Sequence, residues 1–244
     1  MNILEIKNLN HFFGGLKAIS NFNIQIKKDT IHGIIGPNGA GKTTLFNIIT
    51  GLYRPSNGEI LFEGINLIGK KPFQISRLGI ARTFQNLRLF NELTVLENIL
   101  IGELQQHNHF WQKNELNKNI YALLEIFDLE NRANEKASNL PYGIQRKLEI
   151  ARALATEPKL ILLDEPAAGM NPQEVLDLVE LIKNIKKRFN LTIILIEHQM
   201  KLVEMLCDFI TVMNFGQVIA EGKTQDVQNN PLVIKAYLGE REVS

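Results

Sequence analysis

Nine residues, GPNGAGKTT at positions 36–44, limit what this chain can fold into more than any other stretch. They satisfy the pattern G-x-x-x-x-G-K-[ST] through Gly36, Gly41, Lys42 and Thr43. They lie between a short apolar run, IHGIIG, and a helical stretch over about residues 42–50 that Gly51 stops. Such a loop turns its backbone N–H groups toward phosphate oxygens, with a helix N-terminus behind them. The expected nucleotide-holding residues are Gly36, Pro37, Asn38, Gly39, Ala40, Gly41, Lys42, Thr43 and Thr44. Lys42 is expected to reach the β- and γ-phosphates, and the Thr43 hydroxyl to ligate Mg²⁺. A turn that merely joins strand to helix is the weaker reading of a complete motif in this setting.

The rest of the chain supplies a matching scaffold. LEIKNL and FNIQIK alternate apolar and polar residues, and GEILFEG follows the turn signal Ser56-Asn57-Gly58. From about residue 87 to 154 the sequence is polar and helix-like, with a loop-like piece, QQHNHFWQKN, at its tip. The final third alternates: strand 160–163, helix from the cap Asn171-Pro172 to Phe189, strand 192–196, and a helix near 201–207. Two short strands flanking Phe215-Gly216 and a closing helix over 231–238 complete it. Strands alternating with helices predict an α/β fold with a mostly parallel sheet, an N-terminal antiparallel β region and an inserted helical subdomain. The 244 residues are read as one domain.

LILLDEP, residues 160–166, is an apolar strand ending in two acids. Burying charge without a cation costs several kcal/mol, so the pair calls for a partner. With a strand beside the phosphate loop, Asp164 is expected near Mg²⁺, and Glu165 is left to polarise the attacking water. ILIEHQ puts His198 at the C-terminal edge of the next strand, where open α/β sheets bind ligands. A solvated strand end and a satisfied surface histidine are the bland alternatives. The net charge of +1 gives no electrostatic case for nucleic acid, and the single cysteine, Cys207, cannot form an internal disulfide. The opening MNILEIKNLN reads as a strand and not as a secretion signal. No apolar run is long enough to span a bilayer, so any membrane role requires a partner.

Together the phosphate loop, RTFQN, the helix entry LPYGIQR, LLDEPAAGMNP and the IEH histidine resemble the ATP-binding subunit of an ABC transporter. RTFQ with LTVLENI, LPYG in place of LSGG, IEHQMKLV and the closing AYLGE look like the LivG-type subunit of branched-chain amino-acid importers. Relatives serving urea, amides or lipopolysaccharide share parts of the pattern. The resemblance implies that Phe13 stacks on adenine and that Gln85 ligates Mg²⁺ and senses the transmembrane partner. It also implies that Ala168, Gly169, Met170 and Asn171 form the D-loop, and that His198 contacts the γ-phosphate. The helical middle would receive the permease's coupling helix. His107, His109 and Trp111 at its tip fit no common metal spacing.

In the family, the LSGGQ loop closes over ATP held by a second subunit. Leu140, Gly143 and Gln145 fit this frame, whereas Pro141 removes the serine hydroxyl and its own N–H, and Tyr142 replaces a glycine. The N–H groups of Gly143, Ile144 and Gln145 are expected to remain as donors. Two expectations follow from the loop, a heterodimer with a subunit bearing an intact signature, or a homodimer that tolerates Pro141. The implied function is ATP hydrolysis with Mg²⁺ at the cytoplasmic face of a prokaryotic membrane. It would drive import through permease subunits fed by an external binding protein. Soluble ABC ATPases of translation or repair carry a second cassette or a long coiled coil, for which this chain has no room. A nucleotide-binding module without turnover is disfavoured by the presence of Lys42, Asp164, Glu165 and His198 together.

Overall fold

Alternation of apolar residues sets the first sheet. In the computed structural model, which describes residues 1–104 and 113–238, β1 (Asn2–Phe13) and β2 (Leu16–Lys27) form an antiparallel pair. Phe22, Ile24 and Ile26 of β2 point inward while the residues between them face solvent. β3 (Ile31–Ile35) is buried at all five positions and feeds α1 (Lys42–Ile49), which ends where Gly51 takes a φ of 74°. β4 (Asn57–Phe62) pairs with β1, and β5 (Ile65–Asn66) extends that sheet. Next come α2 (Pro72–Arg77) and β6 (Ile80–Arg82).

Between β6 and β7 (Leu160–Asp164) lie α3 (Val95–Leu104), α4 (Lys113–Ile126), two short 3₁₀ turns and α5 (Tyr142–Leu154). His107, His109 and Trp111 fall outside the described residues. The chain then runs through α6 (Pro172–Phe189), β8 (Thr192–Ile196), α7 (Met200–Leu206), β9 (Phe209–Asn214), β10 (Gln217–Gly222), α8 (Thr224–Gln228) and α9 (Pro231–Leu238).

The second sheet has six strands in the order β10-β9-β3-β8-β7-β6, parallel except for the β9–β10 hairpin. The expected α/β fold with an antiparallel β region and a helical insert is what the chain forms. One detail differs. The carboxylate strand β7 does not lie beside β3, because β8 separates them. The register still places Asp164 level with Ile196, which is itself the partner of Ile34. The acids therefore reach the mouth of the phosphate loop from one strand away.

Two apolar cores flank this sheet. One holds α1 between the two sheets, with Phe22, Phe46 and Phe62 fully buried beside Leu160 and Ile194. The other packs α5, α6 and α7 against the opposite face through residues such as Leu148, Ile182 and Leu202. Strands covered on both faces read as continuous apolar runs, which explains IHGII, LILLD and TIILI.

α6 shows how local chemistry fixes a boundary. The Asn171 side chain accepts from the N–H groups of Gln173 and Glu174, and Glu174 accepts back from the Asn171 N–H at 2.8 Å. Pro172 occupies the first helical position, and Asn190 closes the helix at φ 50°. Asn171→Ala should lower stability by about 1 kcal/mol, read as a reduced urea midpoint with an unchanged slope.

Candidate active site

The phosphate loop is shaped by close backbone packing. Gly36 has a φ of 151°, and a Cβ there would lie 2.1 Å from the Met213 carbonyl oxygen. Gly41, at φ 101°, would meet the Ala18 carbonyl at 2.7 Å. Only glycine fits either place. The Gly216 N–H donates to the Ala40 carbonyl and the Ser20 N–H to the Gly216 carbonyl, both at 2.9 Å, tying the loop to β2 and the β9–β10 turn. The first turn of α1 leaves the N–H groups of Lys42, Thr43 and Thr44 without acceptors inside the helix. The Lys42 ammonium is buried and donates to the carbonyls of Gly36 at 2.7 Å and Pro37 at 3.0 Å. Burial lowers its pKa, against the opposing pull of Glu165 and Asp164.

A cavity of about 410 Å³ opens here, lined by Asn38 to Thr44 together with Phe13, Gln85, Glu165 and Phe215. Phe13 forms its aromatic wall and is held edge-on by His11 at 4.6 Å and by Tyr53 at 5.3 Å between ring centres. A larger, mostly apolar cavity of about 500 Å³ lies apart from this one, between α4 and the end of α6. It contains none of the residues expected from the motifs.

Three sequence-predicted groups converge at the C-terminal strand ends. The Gln85 amide donates to Glu165 Oε2 at 3.1 Å, and His198 Nδ1 stands 3.8 Å from the same oxygen, beyond hydrogen-bond reach. Glu165 takes the left-handed φ of 46°, which a non-glycine residue adopts only where its surroundings hold it. Its N–H donates to the Ile196 carbonyl at 2.9 Å, and its own carbonyl accepts from Ala168 at 3.1 Å. Asp164 is buried and bonded through Oδ2 to Arg82 Nη2 at 2.8 Å.

Sequence reasoning overlooked three charged features here, two single groups and one ion pair. Glu197 is fully buried and accepts from the N–H groups of Ala167, His198 and Gln199 at 3.2, 3.1 and 3.4 Å. It thus fastens the turn after Glu165 to the segment carrying His198. Arg82 is the second. The third is the Arg146–Glu149 pair at 2.8 Å, which has no solvent exposure to speak of. Arg146 donates to the carbonyls of Phe84 and Gln85 at 2.7 and 2.9 Å, and Glu149 accepts from the N–H groups of Phe84 and Arg88. The only signal available was a charge at the end of an apolar strand or on the apolar side of a helix.

The loop before α5 differs from expectation. Pro141 is the N-cap, and its carbonyl accepts from the N–H groups of both Ile144 and Gln145 at 3.0 Å. Those two groups are therefore not free donors, because closing the first helical turn consumes them. Gln145 turns its amide inward to the carbonyls of Ala137 and Leu140 at 3.2 and 2.9 Å, so it braces the loop. By count from Leu140, the fifth place of the signature is Ile144. The Tyr142 hydroxyl accepts from Arg146 at 2.9 Å, and its ring lies against Gly169. None of the residues from Leu140 to Gln145 lines the phosphate-loop cavity.

Burial raises the Glu197 carboxyl above its ordinary value of 4.5. A carboxyl raised in the folded state costs stability as pH climbs from that ordinary value through the folded one, since the unfolded chain loses its proton first. The stability of wild type minus that of Glu197→Gln should accordingly decrease from pH 4.5 toward neutrality. Urea midpoints at a series of pH values measure this, and a flat difference contradicts it.

Comparison with known proteins agrees with this geometry. The ABC transporter family model matches residues 19–168, and one for the branched-chain amino acid ATP-binding cassette transporter matches residues 217–243. The chain is 45% identical over 98% of both chains to the high-affinity branched-chain amino acid transport ATP-binding protein LivG of Escherichia coli strain K12. It is 44% identical, with the same coverage, to the corresponding protein BraF of Pseudomonas aeruginosa. A nucleotide-free ATP-binding cassette from an ABC transporter superposes with a TM-score of 0.89 at 35% identity, covering 98% of this chain and 100% of that one. An ADP-bound cassette gives the same TM-score at 36% identity over the same shares. The phosphate loop, the carboxylate strand and the sheet that joins them are thus those of an ABC transporter ATP-binding domain, the family to which this chain belongs.

Proposed function

We propose that this chain binds ATP with Mg²⁺ and hydrolyses it to power uptake of branched-chain, hydrophobic amino acids through a membrane permease. The observation that carries the reading is the meeting of the phosphate loop, Gln85, Glu165 and the Phe13 wall around one cavity, with His198 beside Glu165. The names of the relatives favour branched-chain amino acids over urea, amides or lipopolysaccharide.

The donor set suits a triphosphate with a hard cation. Glycines stand where a Cβ would strike backbone and a helix N-terminus faces the loop, and Thr43 Oγ1 and Asp164 would offer oxygen ligands to a hard cation. Phe13 packs against adenine, and residues Gly36 to Thr44 hold the phosphates, with Lys42 turning from the loop carbonyls to the β- and γ-oxygens. Thr43, Asp164 and Gln85 are the residues that would hold the metal. Mg²⁺ would neutralise charge developing on the phosphates. Glu165 accepts a proton from the attacking water, and the Gln85 amide and His198 orient that water and the γ-phosphate.

The loop from Leu140 to Gln145 acts on ATP bound by a second ABC subunit, with Ala168 to Asn171 as the D-loop between them. Pro141 removes one donor, and closure of the first turn engages Ile144 and Gln145. A missing donor to developing charge costs ~2.7–4 kcal/mol in comparable catalytic sites. A heterodimer, in which the other subunit brings an intact signature, therefore fits better than a homodimer. No described helix is long and apolar enough to cross a membrane. The subunit works at the cytoplasmic face, docked on the permease through residues 87–154, and an external binding protein delivers substrate.

Glu165→Gln should lower hydrolysis about 100- to 10,000-fold, the usual worth of a general base, while ATP stays bound. Light scattering with ATP and Mg²⁺ then reads the assembly. A monomer that retains ATP supports an unlike partner, and a stable homodimer overturns the heterodimer. Hydrolysis at the wild-type rate removes Glu165 from its role.

A further inference from the structure

Arg82 is the last residue of β6 and Asp164 the last of β7, and these strands run parallel with Arg82 opposite Leu162. The arginine side chain extends along the strand direction to Asp164, where Nη2 bonds Oδ2 at 2.8 Å. The two side chains are only 4% and 3% exposed. The other arm reaches a different element. Nη1 donates to Asn47 Oδ1 at 2.7 Å and to Thr50 Oγ1 at 3.3 Å, at the last turn of α1. The guanidinium lies 4.7 Å from the ring centre of Phe84 and 5.4 Å from that of Phe46, so it has aromatic neighbours as well as two anchors.

We infer that Arg82 is a positioning residue for the metal, fixing Asp164 by one oxygen against the helix that grows from the phosphate loop and leaving Oδ1 to address the cation. The inference rests on the nucleotide-binding reading above. It follows from the shape of the fork. A planar guanidinium with one nitrogen held at Asn47 cannot follow the carboxylate if Asp164 rotates, so the two arms set the distance between β7 and the end of α1. α1 carries Thr43 in its first turn, and the fork therefore ties the two expected protein ligands to a common frame. Asp164 is held from its backbone as well, where its N–H donates to Thr83 Oγ1 at 3.4 Å. An ammonium places its donors on a single nitrogen and lacks the two separate arms with which the guanidinium holds Asp164 and Asn47.

Charge alone predicts the opposite response. A cation beside Asp164 repels Mg²⁺, so if Arg82 were only a counter-ion its removal would tighten metal binding. If it positions the carboxylate, removal weakens metal binding. Partners behind a metal ligand are typically worth ~10–100-fold in metal affinity.

The test uses the full chain with a fluorescent ATP analogue, titrated in EDTA and then with Mg²⁺ at fixed nucleotide. Arg82→Lys keeps the charge and loses the fork, Arg82→Met loses both, and Asn47→Ala keeps Arg82 but frees its far arm. In Arg82→Lys and Arg82→Met the half-saturating Mg²⁺ should rise at least about tenfold, with unchanged affinity in EDTA. Asn47→Ala should move it in the same direction by less, and it decides the matter if both Arg82 variants fail to fold. An unchanged or lower half-saturating Mg²⁺ overturns the inference, as does an equal loss of affinity with and without metal. Wild-type protein that binds no nucleotide in either condition overturns the proposed function instead.

Discussion

Four carboxylates, Asp164, Glu165, Glu197 and Glu149, sit at or behind the C-terminal ends of apolar parallel strands, and three of them are almost completely shielded from water. A buried anion left without a partner costs ~3–5 kcal/mol, so each of the three dictates what surrounds it. Arg82 meets Asp164, Arg146 meets Glu149, and three backbone N–H groups meet Glu197. These partners come from β6, from α5 and from the segments after β7 and β8. Neutralising the carboxylates is thus what joins the strand ends into one site. Glu165, with its left-handed backbone, lines the phosphate-loop cavity directly.

The same contacts join that site to the helical insert. Residues 84–88 are gripped from α5, through the carbonyls held by Arg146 and the N–H groups held by Glu149. The Gln85 side chain, in contrast, points to Glu165 on the sheet. One short segment is therefore fixed by its backbone to the insert and by its side chain to the carboxylate strand. A continuous set of contacts thus runs from Glu165 through Gln85 to the buried pair on α5.

The signature loop gives a different lesson. Its proline caps α5 correctly, since φ −56° and ψ 150° present the carbonyl to the first turn. The result is a well-closed helix start with fewer outward donors. Tyr142 packs on Gly169 and bonds Arg146 instead of leaving the open approach a glycine would give. Closing the helix start therefore engages backbone donors at this loop that would otherwise point outward.

Local chemistry made much of this protein legible in its sequence. The phosphate loop follows from glycines and a lysine between a buried run and a helix. The bounds of α6 follow from Asn171, Pro172 and Asn190, and the β1–β2 pairing from period-two alternation. All of these depend on residues within a few places of one another. The insertion of β8 between β3 and β7, the fork of Arg82, the burial of Arg146 and the role of Glu197 were decided only by the tertiary structure. Each joins residues far apart in the chain, and each depends on which surfaces lose water when the sheet and helices pack. The engagement of Ile144 and Gln145 by Pro141 lies between the two cases: it is local in sequence, but it follows from how the helix begins. Hydrogen-bonding pattern and apolar period are written along the chain, whereas the partner of a buried charge exists only after strands from distant segments have been brought side by side.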